Sequence, residues 1–313
     1  MLRMTQPTWM VSTWDWRYVV SVMIALTMAI LGWVYWPIFV ELADEWARNP
    51  LYSHGYLVPA FAAVLLWIRR DRIPNTPLQP SWWALAFLAA GSVLHLGGTY
   101  FYFAWPERGS LLFMIFAAAL AIGGWAAIRW TWPSIFFLVF MIPLPGAIEN
   151  NLMGPLQRLA TLASTNVLQT LGFFAKADGN VIVLSEVEMG IVEACSGLRM
   201  LSTFIALTVG ACFFMQRPFW QKLVIVASSI PIALLCNVVR ISTTGVLHEI
   251  VSHDVAEMFH DEKVAAPVMM VLALLLLLAE LKLLDFIFII EPVLAKPGTS
   301  EGIPSLSQGP SPA

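Results

Sequence analysis

Eight stretches of this chain run nearly free of formal charge, at roughly 18–40, 51–68, 82–104, 109–128, 131–148, 197–216, 219–247 and 264–290. Each is close to the ~20 apolar residues that a helix needs to cross the hydrocarbon core of a bilayer. Composition points the same way. Of 313 residues, 59% are hydrophobic and 12% are charged, and the mean hydropathy is +0.76. A soluble domain carries about 25% charged residues, so this chain has too little polar surface to cover a globule in water. The net charge of −3 supplies no basic field for a phosphate backbone. An ordinary soluble enzyme, a disordered protein and a nucleic-acid binder are therefore excluded. The expected fold is all-α, a polytopic transmembrane helical bundle of about eight spans.

Lys and Arg placement predicts the orientation. Arg3 and Arg17 precede span one, Arg69, Arg70 and Arg72 follow span two, and Arg129 follows span four. Arg217 lies between spans six and seven, and Lys222 at the start of span seven. An alternating chain puts all of these on one side, which is expected to be cytoplasmic. The opposite loops are acidic, with Glu41, Asp44 and Glu45 in one and Asp178, Glu186, Glu188 and Glu193 in another. Tryptophans at span ends (Trp33, Trp36, Trp82, Trp83, Trp130, Trp132, Trp220) form the aromatic belt of a membrane protein. The weakest spans are the second, which holds Tyr52, Ser53 and His54, and the fifth, which holds Pro133, Pro143 and Pro145. The first apolar stretch is too long for a signal-peptide core and is expected to stay as a helix.

This predicts a cytoplasmic N-terminus at 1–17, a transmembrane domain at 18–290 and a disordered cytoplasmic tail at 291–313 rich in Pro, Gly and Ser. The sizeable insert is about 149–196, between spans five and six on the extracytoplasmic side, and has α/β-like character. Leu152, Leu156, Leu159 and Leu162 recur at helical spacing with Gln157, Arg158 and Thr161 between them, which suits an interfacial helix. Residues 180–194, rich in valine and isoleucine with alternating acids, read as a short hairpin.

Three polar features meet the outer ends of spans. The first is Glu193-Ala194-Cys195-Ser196-Gly197-Leu198-Arg199, where the insert turns into span six. A thiol at a helix N-terminus faces the positive end of the dipole and free N–H groups, which favour thiolate. Arg199 lies one turn on, on the same face. The alternative is a structural cysteine. Cys212 and Cys236 sit in apolar runs and read as core residues, and three cysteines without CxxC spacing support neither a disulfide framework nor a thiolate zinc site. The second feature is Asn237-Val238-Val239-Arg240 near the end of span seven. An arginine there needs a partner, a cavity or the interface; it is either an oxyanion clamp or a side chain snorkelling to headgroups. The third is HEIVSHDVAEMFHDEK at 248–263. His248-Glu249 does not start a zincin motif, because the next histidine is five residues on, but His253, Glu257 and His260 share a helical face. The cluster reads as a solvated acidic loop with one functional histidine, or as a metal site. His54 lies near the outer end of span two, and His95 reads as a packed mid-span residue.

Taken in order, YSHGYLVP at 52–59, MIPLP at 141–145, EACSGLRML at 193–201, NVVRI at 237–241 and FHD at 259–261 resemble the exosortase/archaeosortase family of membrane transpeptidases. The resemblance runs from about residue 52 to 285. It implies a Cys–Arg–His site on the outer membrane face, carried by Cys195, Arg240 and His260. The family's last motif usually runs H-D-x-x-G; here Val264 stands at the glycine position, and His253 is a rival to His260. Arg199, Glu193 and His54 are expected to contact substrate. The implied activity is that of a sortase-like cysteine protease and transpeptidase of the inner membrane, with no cofactor and no metal. Its expected partners are the bilayer and exported proteins ending in a recognition motif, a membrane helix and a basic tail; the acceptor is open. Two other functions compete: a non-catalytic transporter or scaffold for surface polysaccharide assembly, and a metal-dependent intramembrane hydrolase built on 248–263.

Overall fold

The computed structural model describes residues 16–72, 79–185, 187–191, 197–251, 255–256, 259 and 262–288. These residues form a helical bundle with one small sheet. The first apolar stretch breaks where its composition changes. Helix α1 (Trp16–Val34) carries no charge after Arg17, whereas α2 (Trp36–Arg48) is amphipathic and buries Ile38, Leu42 and Trp46. The two are bent by 66°. Pro37, in the first turn of α2, needs no helical N–H partner there. The bend keeps Glu41, Asp44 and Glu45 out of the apolar layer, so the span expected at 18–40 ends at Val34. A 3₁₀ turn, Pro50–Tyr56, then carries Tyr52, Ser53 and His54 into α3 (Leu57–Ile68).

Helix α4 (Trp83–Phe101) is followed by α5 (Ala104–Phe137) and a 3₁₀ turn, Leu138–Met141. Helix α5 is not one rod. Gly124 has φ +60° and ψ −156°, outside helical space. Leu111 and Met141 share one core cluster, although a straight helix would set them about 45 Å apart. Ser110 Oγ lies 2.7 Å from the Tyr35 hydroxyl, and the Met141 carbonyl accepts from Trp46 Nε1 at 2.9 Å, so both are at the α2 end of the bundle. The chain therefore doubles back at Gly124. At the other end Arg69 donates to the carbonyls of Trp130 and Arg129 at 3.3 and 3.2 Å. The boundary expected between 128 and 131 is corrected to 124: Pro133 stays within the returning helix, and the residue able to adopt positive φ makes the turn. A Cβ at Gly124 would collide with the Gln79 carbonyl oxygen.

Helix α6 (Gly146–Thr170) turns three leucines of the expected stripe outward, while Leu156 packs partly buried against the core. Leu152, Leu159 and Leu162 are exposed, while Gln157, Thr161, Ser164 and Thr165 are buried. In a membrane protein this is the expected sense, because hydrocarbon surrounds the bundle and polar groups seek protein partners. Gln157 Oε1 accepts from Asn180 Nδ2 at 3.0 Å. The sheet is antiparallel in the order β1 (Lys176–Asp178), β2 (Val181–Val183), β3 (Glu188–Gly190). The hairpin expected at 180–194 is thus the later part of a three-stranded meander. Lys176 pairs with Val183 and Val183 with Glu188. Ile182, Leu184, Met189 and Ile191 pack on Ala160 and Leu168 of α6 and on Ile241 of α8.

Three helices complete the bundle: α7 (Leu198–Phe214), α8 (Phe219–Ile250) and α9 (Glu262–Ile287). Phe204, Cys212, Ile225, Cys236, Met269 and Leu277 pack where they meet. By length and composition, five helical stretches can cross a membrane, or six with the bent α1–α2 pair, and α7 is a shorter apolar helix. With α5 counted as two passes and α7 as one, the described residues make eight crossings, as expected for a multi-pass membrane protein. Arg69, Arg129, Arg217 and Lys222 lie at one end, hereafter the basic end. The α2 turn, the sheet and the start of α7 lie at the other.

Candidate active site

At the end of the bundle opposite the basic residues, four elements and the first residue of α3, Leu57, line a cavity of about 290 Å³. The 3₁₀ turn supplies Ser53 and His54, α7 supplies Arg199, Met200 and Thr203 after Gly197, α8 supplies Asn237 and Arg240, and α9 supplies Ala266, Met269 and Met270. Three of the six residues singled out from sequence therefore converge: Arg240, Arg199 and His54. The other three, Cys195, Glu193 and His260, lie outside the described residues, as do His253 and Glu257.

Arg240 is 9% exposed. An arginine so enclosed must be paired, and its Nη2 donates to Asn237 Oδ1 at 3.0 Å. The two residues are one turn apart on α8, so the helix itself presents the carboxamide to the guanidinium. The snorkelling alternative does not describe this side chain: it is buried inside the bundle against protein partners.

Asn237 also packs on α7. Gly197 precedes that helix with φ +77°, a left-handed conformation, and a Cβ there would stand 3.1 to 3.3 Å from the Asn237 side chain. One carboxamide thus orients the arginine and seats the backbone that begins α7. Sequence reading placed Asn237 in the motif but missed this second contact, because it joins two helices far apart in the chain. Thr203 was also missed; its Oγ1 lies 3.4 Å from His54 Nδ1 and links α7 to the 3₁₀ turn. Its signal was position, one turn beyond Arg199 on the same face.

This geometry sets a stability prediction. Gly197→Ala places a left-handed alanine, costing about 1–2 kcal/mol, and crowds Asn237. Gly172 has φ +90° but open space around its Cα. Gly197→Ala is therefore expected to lower the thermal midpoint of the detergent-solubilised protein by more than Gly172→Ala does. Equal losses would remove the role given to the Asn237 contact.

Two guanidinium groups and an imidazole line this cavity beside Met200, Met269 and Met270, a set of donors that suits a developing negative charge. Among the described residues no three His, Cys, Asp or Glu side chains are grouped to hold a metal ion. The end of α8 is tied to the insert, where Glu249 Oε1 accepts from the Ser185 N–H at 2.9 Å. His95, read as a packed mid-span residue, stacks against Tyr35 with ring centroids 5.0 Å apart.

One family model, described as transmembrane exosortase (Exosortase_EpsH), matches residues 46–279. That segment contains every residue lining the cavity. No curated protein matches the chain, and no solved structure does.

Proposed function

The chain belongs to the transmembrane exosortase family, and we propose that it is a sortase-like cysteine transpeptidase cleaving C-terminal sorting signals at the outer membrane face. The observation that carries this reading is the placement of Arg240, buried and held by Asn237, in a cavity that also meets Gly197. Cys195 precedes Gly197 by two residues, and two peptide units reach at most about 7 Å. Phe259, next to His260 in the chain, packs on the cluster containing Phe204 and Met269 beside the cavity.

In the proposed reaction the Cys195 thiol gives its proton to His260, and the thiolate attacks the scissile carbonyl carbon. Arg240 stabilises the tetrahedral oxyanion. A single oxyanion donor is worth about 2.7–4 kcal/mol. The C–N bond then breaks, the leaving amine takes the proton from His260, and a thioester remains on Cys195. An incoming amine attacks the thioester and yields its proton to His260; the C–S bond breaks and thiolate is regenerated. Water in place of the amine gives hydrolysis. Arg199, His54 and Glu193 contact the recognition segment. The active site faces outward because the basic end, by the positive-inside rule, is cytoplasmic.

The test is direct trapping of the thioester. A reporter ending in a recognition motif, a membrane helix and an arginine-rich tail, taken from a protein encoded beside this one, is incubated with the purified enzyme. A covalent adduct released by neutral hydroxylamine and unaffected by a metal chelator is expected. Cleavage without an adduct and abolished by chelator would support the metal hydrolase instead.

A further inference from the structure

The basic end holds a second and larger cavity, of about 1360 Å³, between the α3–α5 side of the bundle and the α7–α8 side. Its inner wall is apolar and aromatic. Trp132 and Phe136 of the returning half of α5 meet Phe213 of α7 with ring centroids 5.6 and 6.3 Å apart. Its mouth is cationic, with Arg69, Arg129, Arg217 and Lys222 against one lining carboxylate, Asp71.

The mouth is only partly neutralised from within. Arg217 pairs with Asp285 at 2.7 Å, and Arg69 binds the carbonyls of Trp130 and Arg129. Glu280, on the nearby α8–α9 seam, is bonded to Ser228 at 2.6 Å. Arg129 and Lys222 have no ion-pair partner among the described residues. Lys222 is half-buried, a costly place for an ammonium without a counter-ion. Helix α8 begins at Phe219 beside it, with no acidic residue in its first turn to offset the positive end of its dipole.

We propose that this cavity binds an anionic phospholipid, its phosphate between Arg129 and Lys222 and its acyl chains along Trp132, Phe136 and Phe213. The shape decides for a lipid: a phosphate alone would leave the aromatic wall uncovered, and a zwitterionic lipid would bring a second cation into a cationic mouth. Basic pockets between membrane helices take anionic headgroups for this reason. The basic tail of a sorting signal has the wrong charge for the site. The bound lipid would fill the gap between the two halves of the bundle, at the end remote from the catalytic cavity.

The test uses the full chain in nanodiscs of mixed phosphatidylglycerol and phosphatidylcholine, extracted gently and weighed by native mass spectrometry. Wild-type protein is expected to retain phosphatidylglycerol at least about tenfold over its share of the bilayer. The Arg129→Gln/Lys222→Gln double variant should lose that enrichment, and Arg129→Lys/Lys222→Arg should keep it. Absence of enrichment in the wild type overturns the proposal whatever the variants do. Equal enrichment in the Gln variant moves the lipid elsewhere and also overturns it. Displacement of the lipid by millimolar inorganic phosphate would make this a free-anion site, and cross-linking of Lys222 to the reporter's tail would make it a cargo site; either outcome refutes the lipid assignment.

Discussion

Cys195→Ala is expected to abolish processing of a sorting-signal reporter while leaving expression and monodispersity unchanged. Loss of a covalent nucleophile costs on the order of 10⁶ in kcat where it has been measured, which lies below the detection limit of a processing assay. Cys195→Ser should be nearly as inactive, because a hydroxyl is a far weaker nucleophile at neutral pH. The other two thiols give an internal control. Cys212 and Cys236 are both buried, and the Cys212 thiol donates to the Lys222 carbonyl at 3.7 Å at the basic end. A membrane-impermeant thiol reagent added from the outer side should therefore label the wild type and not Cys195→Ala. Wild-type processing by Cys195→Ala would end the thiol mechanism in favour of the metal-dependent hydrolase, whereas no processing by the wild type would leave the transporter or scaffold reading.

His260→Ala should lower processing at least about a hundredfold, the low end of what general acid–base catalysis supplies, and His253→Ala should keep most of it. Phe259 packs against the core beside the cavity, which favours its chain neighbour His260 over a residue six positions before Phe259. The structure adds a competitor, because His54 lines the cavity with Arg199 and Arg240. All three variants belong in one assay at equal protein level. A loss confined to His253→Ala transfers the acid–base role to His253. A loss confined to His54→Ala transfers it to the 3₁₀ turn, and His54 would then be more than a substrate contact.

Much of this architecture was legible because membrane insertion is controlled by long stretches of composition. Apolar length marked the passes, Arg69, Arg129, Arg217 and Lys222 marked a common end, and Arg240 and Arg199 stood out as charges beside apolar runs. What was not legible depended on single residues and on contacts across the bundle. Gly124 turns the chain inside an apolar run, so no gap in hydropathy marks it, and the first charge after it, Arg129, set the expected boundary beyond it. The break at Tyr35 was hidden in the same way: Trp36-Pro37-Ile38-Phe39-Val40 is as apolar as the helix before it. At the site, Asn237 was visible as a motif residue. Its hold on Gly197 was not, since forty residues separate them in the chain and no local pattern records a helix–helix contact.

The turn at Gly124 has a consequence for biogenesis. A translocon reading Ala104–Met141 receives 38 residues of apolar helix, enough for one over-long pass or for two of ordinary length. Only the second outcome preserves threading parity. If the chain failed to turn, every later loop would emerge on the opposite side, and the segment before Gly197 would face the same compartment as Arg69. Because a side chain at this position would collide with the Gln79 carbonyl, the sidedness of the whole C-terminal half rests on a residue whose contribution is to have no side chain.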